Sequence, residues 1–128
     1  MGFWGRGHWG LTKMIYLLLG EDSLAKDKKI AEIKEKVLGA DEAIYFDYEV
    51  LHAPKLDPEI FKKALINLPA VSSKRLIVIR SIEKLDSHNK DLILEFVKTN
   101  SNHADLILDG YHPALSNKLD FQEQGQRI

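Results

Sequence analysis

The stretch that decides the fold of this chain is residues 14–27, MIYLLLGEDSLAKD. Residues 15–19 form a continuous apolar run, which is typical of a strand buried on both faces of a sheet. Residues 23–38 then repeat apolar side chains every three or four positions, which predicts a helix that stops at Gly39. Phosphate-binding loops occur in this setting of strand, glycine-containing turn and helix. The stretch therefore predicts an α/β domain built on such a unit.

The turn itself departs from a working phosphate-binding loop, G-x-x-x-x-G-K-[ST], whose backbone N–H groups and hydroxyl hold phosphates and magnesium. Gly20 and Lys26 match its first glycine and its lysine. Ala25 replaces the second glycine, and Asp27 replaces the magnesium-binding hydroxyl. Two acidic residues also follow Gly20 directly and would repel a polyphosphate. We therefore expect a degenerate phosphate loop, and the alternative is residual nucleotide or anion binding by Gly20, Lys26 and the helix N-terminus.

The rest of the chain alternates predicted strands and helices. Asp57-Pro58-Glu59 marks a helix start, with aspartate as the N-cap and proline at the first helical position, and Pro69 closes that helix. The other predicted elements are a strand at residues 43–47, a loop over residues 48–56, strands at residues 76–79 and 104–109, and a helix over residues 87–98. This alternation predicts a three-layer α/β/α sandwich with a mostly parallel sheet of four or five strands.

Both ends of the chain differ in character from the predicted domain, residues 14–109. Residues 1–13, MGFWGRGHWGLTK, hold four glycines and two tryptophans without periodicity. They are expected to be a disordered leader or a start artefact, and the alternative is a tryptophan-bearing binding arm. Residues 110–128 are expected to form a tail that frays in its polar part, residues 122–128.

Composition excludes several classes of protein. A net charge of −1 argues against a nucleic-acid binder with a strongly basic surface. The absence of cysteine excludes disulfides, thiolate nucleophiles and sulfur-ligated metals, and it fits a reducing cytosol. The five histidines show no metal-binding spacing, and no apolar run approaches the roughly 18 residues that span a bilayer. The strand at residues 76–79 ends in Arg80-Ser81, where hydrolysis would need carboxylates for magnesium.

Two further groups of charged residues each allow two interpretations. Lys74, Arg75 and Arg80 are a candidate basic patch for DNA phosphate or a neighbouring subunit, and the alternative is three solvated cations. Glu21-Asp22 and Asp109 resemble the acidic pocket of a receiver domain. Their spacing is wrong for it, because the acceptor acid would follow an earlier strand.

Residues 68–80, LPAVSSKRLIVIR, complete a pattern that also includes residues 15–34, IYLLLGEDSLAKDKKIAEIK, and a later DLILD. In this order and spacing, the segments resemble the N-terminal domain of the bacterial DNA polymerase III delta subunit. The resemblance implies a P-loop NTPase/AAA+-like fold without a working nucleotide site. It also implies a role in DNA replication, as a clamp-loader subunit that binds the sliding clamp (beta) and helps to open it, with no hydrolysis of its own.

The same resemblance implies the partners and the contact residues. The partners would be the sliding clamp and the other clamp-loader subunits, gamma/tau and delta prime, with indirect or weak DNA contact, no membrane, no cofactor and no catalytic residue, in the cytoplasm. The apolar pair at the clamp-binding positions corresponds to Ala70 and Val71, positioned by Pro69. Three residues, Leu65, Ile66 and Leu68, are expected to support the pair from below. The alternative function is a degenerate nucleotide-binding protein or NTPase that uses Gly20, Lys26 and Asp109.

Overall fold

The computed structural model describes residues 13–39, 41–99, 101–111 and 125–127. They form one parallel sheet with strand order β2-β3-β4-β1-β5. The strands are β1 (Ile15–Leu19), β2 (Tyr48–His52), β3 (Arg75–Arg80), β4 (Ala104–Gly110) and β5 (Gly125–Arg127). The helices are α1 (Ser23–Val37), α2 (Asp41–Asp47), α3 (Pro58–Ile66) and α4 (Ser87–Lys98), and a short 3₁₀ turn spans Ile82–Lys84.

Helices cover both faces of this sheet, so the predicted three-layer α/β/α sandwich is confirmed. On one face, α3 and α4 pack Phe61 and Ile93 against strand residues such as Ile77. On the other face, α1 packs Ile30 and Ile33 against the sheet, and α2 adds a buried alanine. Strands β3 and β4 lie at the centre, where continuous apolar runs are required because neither face meets water.

Local signals in the sequence explain where the helices begin and end. Asp57 caps α3 by accepting a hydrogen bond from the Glu59 N–H at 2.9 Å, as predicted. Gly39 follows α1 with a φ of 78°, a left-handed conformation that costs glycine little. Helix α3 ends at Ile66, earlier than the predicted stop at Pro69. The residue before a proline is disfavoured in the helical region, so the chain leaves the helix before it reaches Pro69.

The second predicted strand is wrong, because residues 43–47 belong to α2 and the strand follows directly as β2. Aromatic and β-branched residues suggested a strand, but Ala43 and Asp47 are the buried residues of this segment. They are four positions apart, which is the helical repeat, while Tyr45 and Phe46 face solvent. The region predicted to be a loop, residues 48–56, therefore begins with an edge strand.

The predicted leader and tail fall largely outside the described residues, which exclude residues 1–12, 112–124 and 128. Lys13, the last residue of the predicted leader, is described, and its Nζ donates hydrogen bonds to the Thr99 carbonyl and hydroxyl at the end of α4. Residues 125–127, which the sequence placed in a fraying tail, pair with β1 as strand β5. Among the described residues, no helix has the length and apolar character needed to cross a membrane.

The parallel arrangement separates two regions of interest. The carboxyl ends of β1, β3 and β4 meet at one edge of the sheet, which carries the turn after β1. Helix α3 runs back from the end of β2 to the start of β3, so its C-terminus lies at the opposite edge. The turn predicted to be a degenerate phosphate loop and the predicted clamp-binding residues are therefore at opposite edges.

Candidate functional site

At the carboxyl edge, the Lys26 ammonium is fully engaged by the protein itself. Its Nζ lies 2.8 Å from Oδ1 of Asp109 and donates to the carbonyls of Gly20 at 2.8 Å and Gly110 at 2.9 Å. An ammonium has three N–H donors, and these three acceptors account for all of them. A polyphosphate could bind the Lys26 ammonium only by displacing at least one of these three acceptors.

Arg80 extends this arrangement into a charge cluster, defined as Lys26, Asp27, Arg80 and Asp109. The Nη1 of Arg80 lies 2.9 Å from Oδ2 of Asp109 and 2.9 Å from Oδ1 of Asp27. Burial alone would lower the pKa of Arg80, but hydrogen bonds and charge from both aspartates raise it. Two cations and two anions thus balance within the cluster, and it joins α1, β3 and β4.

The turn after β1 also uses its own N–H groups. Helix α1 begins at Ser23, three residues before Lys26, and Asp22 is its N-cap. The Asp22 carboxylate accepts a hydrogen bond from the Ala25 N–H at 2.9 Å, a donor that a bound anion would otherwise contact. The adjacent cavity, about 220 Å³, includes the side chains of Glu21 and Asp22 in its lining. The negative charges of these two residues would repel a phosphate.

Removing the carboxylate of Asp109 tests how firmly the charge cluster is built. Asp109→Asn would leave two cations close together with one anion, so we expect a loss of about 1–3 kcal/mol in the free energy of unfolding. The matched control is Glu32→Gln, which breaks the exposed Lys29–Glu32 pair of 3.6 Å and should change stability by less than about 0.5 kcal/mol. Urea unfolding measures both, and equal losses would contradict this account.

At the opposite edge, the end of α3 and the loop after it expose apolar side chains. Leu68 is 75% exposed, Ile66 61% and Val71 44%, and Ala70 is also exposed. Leu65 is buried, as expected of a supporting residue. Ile66 and Leu68 were expected to support the loop from below, and this is wrong. Ile66 lies in α3 but outside the buried side of that helix, and Leu68 follows the helix end, so both face solvent.

This loop is attached to α2 by Asp47, a fully buried residue that the sequence reasoning missed. Its carboxylate accepts hydrogen bonds from three successive backbone N–H groups, those of Ala70 at 2.6 Å, Val71 at 2.8 Å and Ser72 at 2.6 Å. Burial by itself raises the pKa of Asp47. The three N–H groups and the charge of Arg75 lower the pKa by a larger amount, so the net pKa lies below the ordinary value of 3.8. These hydrogen bonds join residues that are 23–25 positions apart in the chain, so no local sequence pattern predicts them.

A lowered native pKa gives Asp47 a defined pH dependence. The unfolded carboxyl takes up its proton at a higher pH than the native one, so its stabilisation is full above about pH 4 and declines as the pH falls further. We expect the difference in unfolding free energy between the unaltered chain and Asp47→Asn to be largest near pH 7 and to narrow below pH 4. Urea unfolding at a series of pH values measures it. A difference that stays constant down to pH 2 would refute the lowered pKa.

The structure does not bring the three residues of the candidate basic patch together. Lys74 is buried, with its Nζ 2.9 Å from Oδ1 of Asp105. Arg75 is also buried, and its Nη2 lies 2.7 Å from Oε1 of Glu49. Arg80 lies at the other end of β3, in the charge cluster. These cations therefore neutralise carboxylates within the domain.

An apolar groove lies between α3 and α4, next to the exposed end of α3. Its volume is about 270 Å³, and Leu65, Ile66 and Phe96 contribute to its lining. The His103 ring lies at the same groove, with Nε2 2.7 Å from the Leu65 carbonyl. Within residues 13–39, 41–99 and 101–111, no three histidine, aspartate or glutamate side chains are grouped so that they could hold a metal ion.

Two solved structures share this architecture. The DNA clamp loader delta protein of Bacillus subtilis superimposes with a TM-score of 0.73 and 12% identity, over 91% of this chain and 38% of that one. The chain has the fold of the matching part of this delta protein. A DNA polymerase III gamma subunit-related protein of Thermotoga maritima gives a TM-score of 0.64 at 12% identity, over 91% of this chain and 41% of that protein. Neither a protein-family model nor a curated protein sequence matches the chain.

These likenesses confirm the α/β fold that the sequence resemblance implied. At 12% identity, these likenesses show a shared architecture and do not assign roles to individual residues of this chain. The chain spans about two fifths of the length of both proteins.

Proposed function

We propose that this chain is a delta-type clamp-loader domain of DNA replication, which binds a sliding clamp with the end of α3 and the loop after it. One observation carries the proposal. In a domain with the fold of a clamp-loader delta protein, the large apolar side chains of Ile66, Leu68 and Val71 protrude at the loop where the resemblance places the clamp contact. Exposed apolar side chains on an ordered loop are suited to fill a pocket on a partner.

The exposed fractions of these side chains indicate which of them would contribute most to the proposed clamp contact. The resemblance assigns the clamp-binding positions to Ala70 and Val71, both smaller than the leucine or phenylalanine usual there. Leu68 is the most exposed large side chain of the loop, and full burial of a leucine is worth about 1.5–3 kcal/mol. In this proposal Leu68 and Val71 are the main apolar contacts, Ala70 permits close approach, and Pro69 fixes the backbone between them.

The proposed action on the clamp is mechanical. A rigid helix end inserts apolar side chains at one place on the ring, and binding favours the open ring if the open form offers the better pocket. A ligand shifts such an equilibrium only by its difference in affinity for the two forms. The domain would accordingly need no chemical step of its own.

The charge cluster supports a function without nucleotide hydrolysis. The lysine that would hold a β- or γ-phosphate is bound to Asp109, and Asp27, in place of a magnesium-binding hydroxyl, is paired with Arg80. These contacts argue against the alternative of a degenerate nucleotide-binding protein or NTPase.

We further propose that the domain acts in the cytoplasm with gamma/tau and delta prime subunits. DNA contact would be indirect, because Lys74 and Arg75 are buried in ion pairs.

A charge introduced into the apolar loop should abolish clamp binding. We expect Leu68→Asp and Val71→Asp each to lower the affinity for a purified β sliding clamp by at least about 100-fold, because a carboxylate would have to be desolvated in the pocket. Surface plasmon resonance with the immobilised ring measures this.

Leu24→Asp is the matched control for the leucine substitution. Leu24 is 80% exposed, close to the 75% of Leu68, but it lies in the first turn of α1 at the opposite edge of the sheet. An acidic side chain is tolerated at a helix N-terminus, so this variant should bind the clamp like the unaltered chain. Undiminished binding by Leu68→Asp and Val71→Asp together would remove the site assignment.

Nucleotide binding separates the proposal from its alternative. With magnesium–ATP at about 1 mM, we expect no heat in isothermal titration calorimetry and no change in the melting temperature, because any ligand that binds the native state raises it. A saturable signal that Lys26→Ala eliminates would favour the nucleotide-binding alternative.

A further inference from the structure

We infer that Asp47 is a positioning residue for the clamp contact, which holds residues 70–72 in one conformation before the partner arrives. The inference rests on the proposed function, because the loop it holds is the proposed contact. The resemblance points to no role for this residue, and the sequence placed it at the end of a strand. Its assignment comes from the contacts of its carboxylate.

The geometry is that of an anion in a nest of backbone N–H groups. Successive N–H groups of Ala70, Val71 and Ser72 converge on one carboxylate, with Oδ1 taking the first and Oδ2 the other two. An ionised carboxylate offers only acceptor positions, which is what three converging donors require. An asparagine at this position would offer one acceptor oxygen and turn an NH₂ donor toward the remaining N–H groups. The identity of the side chain as aspartate is therefore essential to the arrangement.

Burial makes these hydrogen bonds difficult to release. Asp47 is fully buried, and a buried carboxylate is stable only while it is paired or hydrogen-bonded. If the loop lifted away, the carboxylate would lose three N–H partners at once and would need other donors in their place. Such an opening is expensive, so the loop remains attached to the end of α2.

Attachment of this kind should matter for affinity because it restricts the loop before binding. A loop that must be ordered during association loses part of its interaction energy to that ordering, whereas a loop already held in place does not. The exposed side chain of Val71 sits on the backbone that Asp47 holds, while its own contacts with a partner remain free to form. Asp47 would thus raise the affinity for the clamp without touching it.

Asp47→Asn tests the inference with two measurements. We expect the affinity for a purified β sliding clamp to fall roughly tenfold, at a temperature where circular dichroism shows the variant to be folded. Hydrogen–deuterium exchange should accelerate at the amides of Ala70, Val71 and Ser72, while the amides of β3 stay protected. Asp41→Asn is the control, because Asp41 is an exposed acid on the same helix and should change neither quantity.

A second variant keeps the test decisive if Asp47→Asn does not fold. Ala70→Pro removes the N–H whose nitrogen lies 2.6 Å from Oδ1 of Asp47, leaves the carboxylate in place and also restricts the φ angle of residue 70. Because residue 70 belongs to the proposed contact itself, the informative measurement for this variant is hydrogen–deuterium exchange, which should become faster at the amides of Val71 and Ser72.

The outcomes distinguish this inference from the proposed function. If the unaltered chain binds the clamp and the loop-loosened variants bind it equally well, Asp47 has no positioning role and the inference is overturned. If exchange at residues 70–72 is unchanged in a folded Asp47→Asn variant, the inference is also overturned. If the unaltered chain does not bind the clamp, the proposed function fails, and faster exchange in the variant would still show that Asp47 holds the loop.

Discussion

Burial of the central strands on both faces is the constraint on which the rest of this structure depends. Strand β4 is buried along its whole length, and β3 is buried except at Arg80. Every polar group that enters these strands must therefore find a partner inside the protein or lie at an end. The charged residues of β3 and β4, and Lys74 just before β3, follow this rule: Lys74, Arg75 and Asp105 lie near the amino edge, and Arg80 and Asp109 lie near the carboxyl edge. The two edges become the places where the domain can carry chemistry or contacts.

The two edges satisfy their carboxylates in different ways. At the carboxyl edge, Asp109 pairs with two cations, Lys26 and Arg80, and together with Asp27 they form a balanced set of charges next to the turn after β1. At the amino edge, Asp47 is satisfied mainly by backbone N–H groups, and the result is a fixed loop. The first arrangement leaves little for a ligand to contact, and the second presents apolar side chains outward. This difference is why the proposed function is one of binding.

The sequence predicted the fold well where its signals are local. The apolar run of β1, the Asp57 cap and the glycine after α1 each depend on residues close together in the chain, and all three are found. The segment around Tyr45 and Phe46 was predicted as a strand because aromatic residues favour strands on average. It is a helix here, and its two buried residues, Ala43 and Asp47, have the helical spacing of four positions.

The candidate site was predicted only in part, because much of it depends on contacts between residues that are far apart in the chain. The resemblance pointed to the loop after α3, but Ile66 lies on the exposed side of α3 and Leu68 lies beyond its end, so neither side chain has the expected inward orientation. The attachment of the loop by Asp47 depends on a helix more than 20 residues earlier in the chain. Likewise, the pairing of Lys74 and Arg75 with acids on other strands could not be foreseen, so three cations suggested a patch that the fold does not assemble.

The charge cluster has a consequence for how such a domain would take part in a cycle driven by ATP. In a nucleotide-bound subunit, loss of a γ-phosphate rearranges the residues that held it. Here Asp109 is covalently part of the chain, so the contacts of Lys26 and Arg80 have no hydrolysis product to release. The proposed domain would keep one shape throughout the cycle, and the timing of clamp engagement would be dictated by whichever neighbouring subunits expose or cover its apolar loop.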